Sequence, residues 1–554
     1  MGATPEIVIL NGKLITFDDA KPRAEALAIS GGVIAAVGTT DEIRGMSGPA
    51  TRVFDAQGAT VLPGFIDSHV HLFGGSVELG YLDLHGVQGE EQLTRAVREW
   101  SAQCPDDKVC FAVQAAYAIM GPGRQTTRHD LDRVLPDRPF AMFAPDHHTI
   151  WANTKALEAA GILHGGEVDQ GAQIVMGDDG LATGELQEPS AYAPVLRLTR
   201  HAGRDMAGLV TGANPQPRAT AAERAADKAA IADGMKHCAS HGITGLHNMD
   251  GNIYQLELLS EMEDDGTLLC RTEVPFHYKS FDPLDRFEEA DEMRRRFNGE
   301  NVWCNRVKMF MDGVVESRTA LMLEPYPGTD HIGDAVFEPE HFTEACKRAD
   351  AMGFQIATHA IGDLAIRRTL DGYEAARNAN GKRDARHRVE HIEVLHPDDL
   401  PRFAALDVVA SIQPGHAPFG GIFPPEGMDE VLHAKQLPGA FAWQDIRNSG
   451  AKVVFSTDWP VIPVDVMPNV KAAVAPIALD GFKDQSQGLM DTLESYTAGN
   501  AWVEFREDRK GRLKPGMLAD VAVMSHDLEA LEPGSLDSAR AALTVCGGRV
   551  TWEA

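Results

Sequence analysis

Paired cysteines are missing from this sequence. It contains seven cysteines in 554 residues, and none of them forms a Cys-x-x-Cys pair. The cysteine spacing therefore indicates neither a disulfide framework nor a redox motif. We expect buried free thiols and a location in the reducing cytoplasm.

Long apolar runs are missing as well. No stretch of the sequence comes close to the roughly 20 apolar residues that cross a bilayer. The segment from Met1 to Glu6 has neither the basic residues nor the apolar region of an export signal. We therefore expect neither a membrane partner nor export.

Basic residues are scarce relative to acidic ones. The chain has 51 Lys and Arg against 81 Asp and Glu, which gives a net charge of −30. Nucleic acids and anionic membranes attract cationic surfaces, so this charge argues against both as partners. Its ordinary meaning is a solvated surface that resists aggregation. A hydrophobic content of 44% is ample for a core, and the length favours a large domain with a smaller one.

The most informative segment contains His69 and His71. The apolar stretch 59–66 just before them predicts a buried strand. Side chains two residues apart in a strand project from the same side, so both imidazoles can converge on one divalent cation. His-x-His alone is a weak signal, and two solvated loop histidines are the alternative.

Three later segments repeat this arrangement of a short apolar run that ends in a candidate ligand. The candidates are His359, His391 and Asp458. Helix-like stretches lie between the runs, for example over 363–378 and 397–405. Alternating strands and helices predict parallel βαβ units. If such units close into a barrel, all strands open on one face, and distant ligands would meet there.

The two ends of the chain have a different pattern. Residues 6–58 alternate short apolar runs with the turn signals Asn11-Gly12 and Gly31-Gly32, and residues 519–554 do the same with Gly547-Gly548. These pairs are typical of tight hairpins. Neither piece makes a stable sheet alone, so we expect them to pair into one β-sandwich.

A series of longer motifs gives the most specific signal, because the motifs occur in a fixed order along nearly the whole chain. They are Leu62-Pro63-Gly64-Phe65-Ile66-Asp67-Ser68-His69-Val70-His71, Asp146-His147-His148-Thr149-Ile150-Trp151-Ala152-Asn153, Val307-Lys308-Met309-Phe310-Met311-Asp312-Gly313 with Ser317-Arg318-Thr319-Ala320, Thr358-His359-Ala360-Ile361-Gly362-Asp363, Val389-Glu390-His391, Gln413-Pro414-Gly415-His416, Ser456-Thr457-Asp458-Trp459-Pro460-Val461 and Gly511-Arg512-Leu513-Lys514-Pro515-Gly516-Met517-Leu518-Ala519-Asp520-Val521. In these motifs the sequence resembles the amidohydrolase superfamily, and more narrowly its YtcJ-like branch of metal-dependent hydrolases (amidohydrolase family 3).

The resemblance implies an α/β fold with three parts. A (β/α)8 TIM-like barrel would occupy residues 61–505. A composite β-sandwich would form from residues 1–60 and 506–554. An inserted subdomain, within residues 72–235, would follow the first barrel strand and cover the site.

The resemblance also implies one or two divalent metal ions, and the mixed nitrogen and oxygen donors suit zinc. Lys308, at the end of the fourth strand, would be N6-carboxylated, since burial lowers a lysine pKa and the neutral amine can add CO₂. The carbamate would then bridge two ions. The alternative is an ordinary lysine paired with Asp312 or Asp458. The implied metal ligands are His69, His71, Lys308, His359, His391 and Asp458.

Such a centre implies hydrolysis by metal-activated hydroxide. Asp458 would take the proton of the attacking water and pass it to the leaving nitrogen. His148 is the candidate for stabilising the oxyanion, with simple packing as its alternative. Candidate substrate-binding residues, each with a structural alternative, are Trp151, Arg318, Gln413 and His416.

We therefore expect an enzyme that cleaves a C–N bond of a small molecule, an N-substituted amide with an apolar or aromatic part, and that forms a homodimer. Ester, lactone or carbamate hydrolysis and deamination at the same site are alternatives, because the fold does not fix the reaction. A non-catalytic scaffold is disfavoured, because all six ligand positions are filled.

Overall fold

The computed structural model describes residues 4–121, 123–145, 147–168, 172–422 and 427–554. Asp146, which belongs to one of the motifs, lies outside the described residues. The chain divides into two compact units: the main unit, residues 1–71 with 235–554, and the second unit, residues 72–234. Within the described ranges, no helix is both long and apolar enough to cross a membrane. All seven cysteines are free and six are buried, as the sequence predicts.

The strands of both units are short. They are β1 (Ile7–Leu10), β2 (Lys13–Ile15), β3 (Arg23–Ala24), β4 (Ala26–Ser30), β5 (Val33–Gly38), β6 (Arg52–Asp55), β7 (Thr60–Pro63), β8 (Phe65–Val70), β9 (Leu82–Asp83), β10 (Cys110–Val113), β11 (Phe140–Phe143), β12 (Thr149–Ala152), β13 (Gln173–Met176), β14 (Ala182–Gln187), β15 (Ile243–Asn248), β16 (Arg271–Glu273), β17 (Phe276–His277), β18 (Val302–Trp303), β19 (Arg306–Phe310), β20 (Gln355–Ala360), β21 (Arg388–His391), β22 (Val409–Ile412), β23 (Val453–Phe455), β24 (Val521–Met524), β25 (Ala541–Cys546) and β26 (Arg549–Glu553).

The helices separate many of these strands. They are α1 (Thr40–Arg44), α2 (Leu72–Glu78), α3 (Gly89–Gln103), α4 (Arg128–Val134), α5 (Thr154–Ala160), α6 (Pro189–Leu196), α7 (Ala207–Val210), α8 (Ala221–Ser240), α9 (Ile253–Asp264), α10 (Phe287–Arg296), α11 (Pro339–Ala351), α12 (Asp363–Asn380), α13 (Leu400–Leu406), α14 (Met428–Val431), α15 (Trp443–Asn448), α16 (Val466–Val474), α17 (Leu489–Ser495) and α18 (Ala498–Val503). Short 3-10 helices cover Leu284–Arg286, Pro414–His416, Pro418–Gly420, Leu437–Gly439 and Pro533–Ser538.

The main unit is built on parallel strands. One sheet has the strand order β18-β16-β15-β8 and a second has the order β17-β19-β20-β21-β22-β23. Helices α11, α12, α13 and α15 connect successive strands of the second sheet, as the alternating pattern predicts. A parallel bridge between Val70 and Trp459 joins the residues that follow β23 to the end of β8. The carboxyl ends of β8 and β23 therefore lie next to each other.

The predicted strand over 59–66 is divided in the structure. Residues before Gly64 form β7, which pairs with β2 and β24, whereas residues after it form β8, which pairs with β15. A Cβ atom at Gly64 would lie only 2.3 Å from Thr244 Cγ2. Only glycine fits this close approach, and the chain changes sheets there.

The two ends of the chain share a sheet. Its strand order is β26-β25-β24-β7-β2-β3, and a neighbouring sheet has the order β5-β4-β1-β6. Apolar side chains from both sheets, among them Ile9, Leu27, Val523 and Val545, pack into one core. The N-terminal and C-terminal segments are therefore joined by strand pairing and by a common core.

Two of the three predicted hairpins are confirmed. Gly31-Gly32 joins β4 to β5, Gly547-Gly548 joins β25 to β26, and all four glycines have positive φ. The predicted hairpin at Asn11-Gly12 is wrong, because β1 and β2 lie in different sheets. The turn residues fix a local reversal, but the choice of partner strand depends on long-range packing.

The second unit has a mixed sheet of the order β13-β14-β12-β11-β10-β9. Ile150 and Leu186 point into an apolar cluster on one face, and Met142 and Trp151 point into a cluster on the other. The sequence predicts helical stretches in this region but not this sheet.

Candidate metal centre

Four imidazoles surround the carboxylate of Asp458. Its Oδ1 lies 3.4 Å from His69 Nε2 and 3.5 Å from His71 Nε2. Its Oδ2 lies 3.6 Å from His416 Nε2 and 3.8 Å from His391 Nδ1. These residues form two groups that share Asp458, and within each group the possible ligand atoms lie within 4.8 Å of one another. The structure therefore brings together residues nearly 400 positions apart in sequence.

Backbone contacts hold the two sides of this cluster together. The amide of Asp458 donates to the carbonyl of His69 at 2.8 Å, and the amide of His71 donates to the carbonyl of Trp459 at 2.8 Å. Asp458 has a φ of 63° and His391 a φ of 74°. Non-glycine residues adopt this left-handed conformation infrequently, and it is one of the strained conformations that are enriched at functional sites.

Carboxylates orient the first two imidazoles. His69 Nδ1 lies 2.8 Å from Glu390 Oε2, and His71 Nδ1 lies 2.9 Å from Asp250 Oδ2. Because an ionised carboxylate only accepts hydrogen bonds, each Nδ1 is the donor. Each Nε2 is then left facing Asp458 as a potential ligand.

Gln413 orients a third imidazole. Its Oε1 lies 2.8 Å from His391 Nδ1, and its Nε2 donates to Ser456 Oγ at 2.8 Å. Both ends of this buried amide are engaged within the protein. That arrangement favours a positioning role over the predicted contact with substrate.

His359 lies beside His391, with ring centroids 4.5 Å apart. Its Nε2 donates to the carbonyl of Gly313 at 3.0 Å, which leaves Nδ1 as the nitrogen that can bind a metal. His416, predicted to contact substrate, lies in one of the two potential ligand groups instead. Its ring stacks at 6.0 Å from that of His391.

Lys308 is fully buried inside β19 rather than at its end, so its predicted position is corrected. Its Nζ has no hydrogen-bond partner among the described residues and lies 4.5 Å from the centroid of the Phe310 ring. The carboxylate of Asp312 accepts instead from the amides of Leu321, Ile361 and Gly362. The predicted alternative, a pair between Lys308 and Asp312, is thus not formed.

Burial shifts the ionisation of the ligand candidates. It lowers the pKa of Lys308 to about 8, the pKa of His69 to about 4 and the pKa of His359 to about 3. Burial also lowers the pKa of His71, but the hydrogen bond to Asp250 and the negative charges of Asp250 and Asp458 outweigh it and raise that pKa to about 9. At neutral pH His69 and His359 are therefore neutral and Lys308 is partly neutral, which are the forms that bind metals or react with CO₂, whereas His71 must lose a proton when it binds a metal.

Burial raises the pKa of Asp458, but the electrostatic effect of the surrounding imidazoles, with that of His69 the largest, outweighs it. The pKa of Asp458 is therefore held well below its usual range. The carboxylate is ionised at neutral pH, the form that both a metal ligand and a proton acceptor require.

The residues present fit a divalent cation. Two ligands that each lie about 2.1 Å from a tetrahedral ion are separated by about 3.4 Å. The separations of 3.4 and 3.5 Å between Asp458 Oδ1 and the two Nε2 atoms agree with this value. Moreover, Asp458 Oδ1 is buried and has no hydrogen-bond partner within the part of the chain that the structure describes.

The remaining candidates have other contacts. Arg318 donates to the carbonyl of Glu430 at 3.3 Å, which favours its alternative role of tying loops together. His148 Nδ1 lies 3.0 Å from Glu188 Oε1, and Trp151 packs against Tyr117 in the second unit. The functions predicted for His148 and Trp151 stay predictions.

Three carboxylates that support the cluster are not predicted from the sequence. Asp250 and Glu390 hold the imidazoles, and Asp67 accepts hydrogen bonds from the Thr457 amide at 3.0 Å and from its hydroxyl at 2.5 Å. Asp67 and Glu390 are fully buried within strands. An ionisable residue inside a segment that predicts a buried strand was the available signal, because burial of such a group without a partner is costly.

Asp250→Asn should weaken metal binding about 10- to 100-fold, because the amide no longer fixes the proton on His71 Nδ1. Competition with a chromogenic chelator measures this affinity. Asp264→Asn, at the exposed end of α9, is the matched control and should leave it unchanged. Equal affinities of the two variants would contradict the positioning role of Asp250.

Comparison with known proteins identifies the family. A model of the amidohydrolase family matches residues 52–552. The chain belongs to the amidohydrolase family. This amidohydrolase is 27% identical over 557 residues to the Bacillus subtilis protein YtcJ, which is named as an amidohydrolase, with 98% of each chain covered. It is also 24% identical to an N-substituted formamide deformylase of Arthrobacter pascens, with 99% of this chain and 98% of the relative covered.

Solved structures show the same fold. An uncharacterized metal-dependent hydrolase from Pyrococcus horikoshii matches with a TM-score of 0.73 and 24% identity, over 95% of this chain and 99% of the other. The amidohydrolase is therefore an α/β protein of the TIM-barrel type and a hydrolase acting on C–N bonds. The predicted family and enzyme class are confirmed.

Proposed function

We propose that this amidohydrolase cleaves the C–N bond of an N-substituted amide with an apolar or aromatic part, at a centre of one or two divalent ions. The observation that carries the proposal is the convergence of four imidazoles on the ionised, buried Asp458. The relative named as an N-substituted formamide deformylase supports this substrate class. The proposed ligands are His69, His71, Lys308, His359, His391 and Asp458, with His416 in reach of the same carboxylate.

A divalent cation at this centre supplies Lewis-acid chemistry, since it acidifies water and polarises a carbonyl. Asp458 accepts a proton as the water oxygen bonds to the carbonyl carbon. The same proton then passes from Asp458 to the amide nitrogen as the C–N bond breaks, which yields a carboxylic acid and an amine. Glu390, Asp250 and Gln413 keep the imidazoles oriented throughout. His148 remains our proposed stabiliser of the oxyanion.

Zinc is the proposed metal and Lys308 the proposed site of carboxylation. Imidazole nitrogens with a carboxylate form the donor set that zinc prefers. The lowered pKa of Lys308 leaves a fraction of neutral amine at neutral pH, and its buried Nζ has no hydrogen-bond partner among the described residues. Addition of CO₂ to that amine, with loss of one proton, replaces a buried cation by a carbamate with two oxygen ligands.

The domain plan stays a proposal: a barrel over 61–505, a composite sandwich of 1–60 and 506–554, and a subdomain inserted within 72–235. The pairing of β7 with β24 and the compact second unit support it. The predicted homodimer likewise awaits a measurement of mass in solution.

The protein purified without chelator should hold one to two transition-metal ions per chain, mainly zinc, because the donor set combines imidazole and carboxylate. Elemental analysis by mass spectrometry measures the content. Full activity in protein that stays metal-free after incubation with excess chelator would refute the metal-dependent mechanism.

A substrate screen tests the function itself. Zinc-reconstituted protein is assayed against N-benzylformamide, N-benzylacetamide, benzyl acetate, a lactone, a carbamate and an aminopurine. We expect release of benzylamine from an amide and little turnover of the other classes. Faster cleavage of the ester or lactone, or deamination, would show that the proposed reaction is wrong. If metal-loaded protein turns over none of these compounds, the result would support the non-catalytic scaffold.

A further inference from the structure

A second concave site lies entirely within the second unit. It encloses a volume of about 350 Å³ beside Trp151 and Glu185, on the side of the sheet opposite Ile150 and Leu186. Trp151 in β12 and Glu185 in β14 are directly opposed partners of an antiparallel pair. Opposed residues project from the same face, so an indole and a carboxylate lie side by side there.

A second aromatic ring, that of Tyr117, lies nearly perpendicular to the Trp151 ring beside the cavity. The Tyr117 ring stands at 84° to the Trp151 ring, with centroids 5.1 Å apart. The hydroxyl of Tyr117 is hydrogen bonded to Thr149 Oγ1 at 2.9 Å. That bond ties the half-exposed tyrosine to the strand that carries the tryptophan, so both rings are fixed.

A buried hydroxyl lines the same cavity. Thr126 is 3% exposed, and its Oγ1 has no hydrogen-bond partner in the residues that the structure describes. An unsatisfied buried hydroxyl costs free energy, which a ligand that donates to it or accepts from it would offset. The cavity therefore offers the half-exposed ring of Tyr117, the accessible margin of the buried Trp151, one carboxylate and one hydroxyl without a partner among the described residues.

The charges around the cavity favour a cation. Glu185 accepts a hydrogen bond from the neutral amide of Gln187 at 2.6 Å, and the described residues place no cationic side chain against it. Arg124 also lines the cavity, but its guanidinium is paired with Asp130. The net charge of −30 adds a long-range attraction for cations.

We propose that this cavity binds an organic ammonium ion with an aromatic or alkyl body. The positive group lies over the ring of Tyr117, beside the accessible margin of Trp151 and near Glu185, as in other aromatic sites for ammonium groups. A primary ammonium also donates one hydrogen bond to Thr126 Oγ1. The described residues that line the cavity include none of the proposed metal ligands, and Trp151, which is predicted to contact substrate, is the one residue common to both proposals.

Calorimetry with four benzyl compounds tests the proposal on the full-length protein, both metal-free and metal-loaded. Benzylamine and benzyltrimethylammonium should bind at least about tenfold more tightly than neutral benzyl alcohol, since a desolvated cation–π contact is worth that much. The anion phenylacetate should bind weakest. Equal binding of the alcohol, tighter binding of phenylacetate, or no binding of either ammonium would overturn the proposal.

Variants separate the three contributions. Glu185→Gln should weaken both ammonium ions about tenfold or more and leave the alcohol unchanged, whereas Glu158→Gln, on the exposed side of α5, should have no effect. Thr126→Val should weaken benzylamine but not benzyltrimethylammonium, which has no N–H to donate. Tyr117→Leu, at a half-exposed position, should weaken the binding of both ammonium ions. Equal losses from Glu185→Gln and Glu158→Gln would show that the cavity does not hold the cation.

Discussion

Lys308→Ala should remove the metal and the activity together. The Nζ of Lys308 is buried without a hydrogen-bond partner among the described residues, which is costly for an unmodified ammonium and is offset only in part by the contact with the Phe310 ring. If a carbamate forms there, its two oxygens supply part of the ligand set. Loss of both should reduce metal affinity by more than about 100-fold, beyond the range for residues that only support a ligand.

Chemical rescue gives this prediction its sharpest form. Acetate or propionate can enter the space left by Lys308→Ala and supply a carboxylate, so metal content and turnover should partly return with increasing carboxylate concentration. Lys308→Met is the matched control, because its side chain fills the space and excludes the carboxylate. Metal content is measured by elemental analysis, and the carbamate by its extra mass or by ¹³C NMR after exposure to ¹³CO₂.

A simple structural role predicts a different result. If Lys308 only fills space, Lys308→Met should retain metal and activity, and neither variant should respond to acetate. Retention of metal in Lys308→Ala, or an unmodified lysine in active metal-loaded protein, would refute the bridging carbamate.

The sequence predicts those parts of the site that depend on local geometry. His69 and His71 are two residues apart in an extended strand, so their common direction follows from the backbone period alone. The structure places the Nε2 atoms of both at similar distances from Asp458 Oδ1. The position of Asp458 beside them, nearly 400 residues later in the sequence, depends on the fold. It was predicted from the resemblance to a family and not from the spacing of residues.

The residues that orient the imidazoles could not be predicted in this way. Nothing in the sequence near His71 indicates that Asp250 accepts a hydrogen bond from its imidazole, because that contact depends on how β8 packs beside the end of β15. Glu390 precedes His391 in β21, yet it contacts His69 of another strand. Gln413 was predicted to contact substrate because the sequence shows that it follows a strand. Its hydrogen bond with His391 cannot be seen in the sequence.

The fold shows the same division between local and distant causes. Helix α12 begins and ends near its predicted bounds, since an amphipathic pattern and a terminal Asp363 are local features. The division at Gly64 and the change of sheet at Asn11-Gly12 are decided by neighbours far along the chain. Apolar runs therefore predict that strands exist, but not which sheet each strand joins.

Asp458→Asn separates the two functions assigned to Asp458. Asparagine keeps the shape of the side chain and one oxygen that can still contact a metal, but it removes the basic group. If Asp458 chiefly transfers the proton, metal content should stay near normal while turnover falls on the order of 10²- to 10⁴-fold. Elemental analysis and steady-state kinetics on the same preparation measure both quantities.

The pH dependence of the rate gives an independent test of Asp458. Its pKa is held well below the usual range, and the ionised form is the active one, so the wild-type rate should fall only as the pH decreases through that low pKa. The variant has no carboxylate to protonate, and this acidic decrease should disappear from its profile. If metal is lost along with activity, Asp458 is primarily a ligand, and His416, whose Nε2 lies 3.6 Å from the same carboxylate, or His148 becomes the candidate base. If turnover barely changes, the carboxylate at the centre of the four imidazoles is not part of the reaction, and the proposed metal centre is wrong.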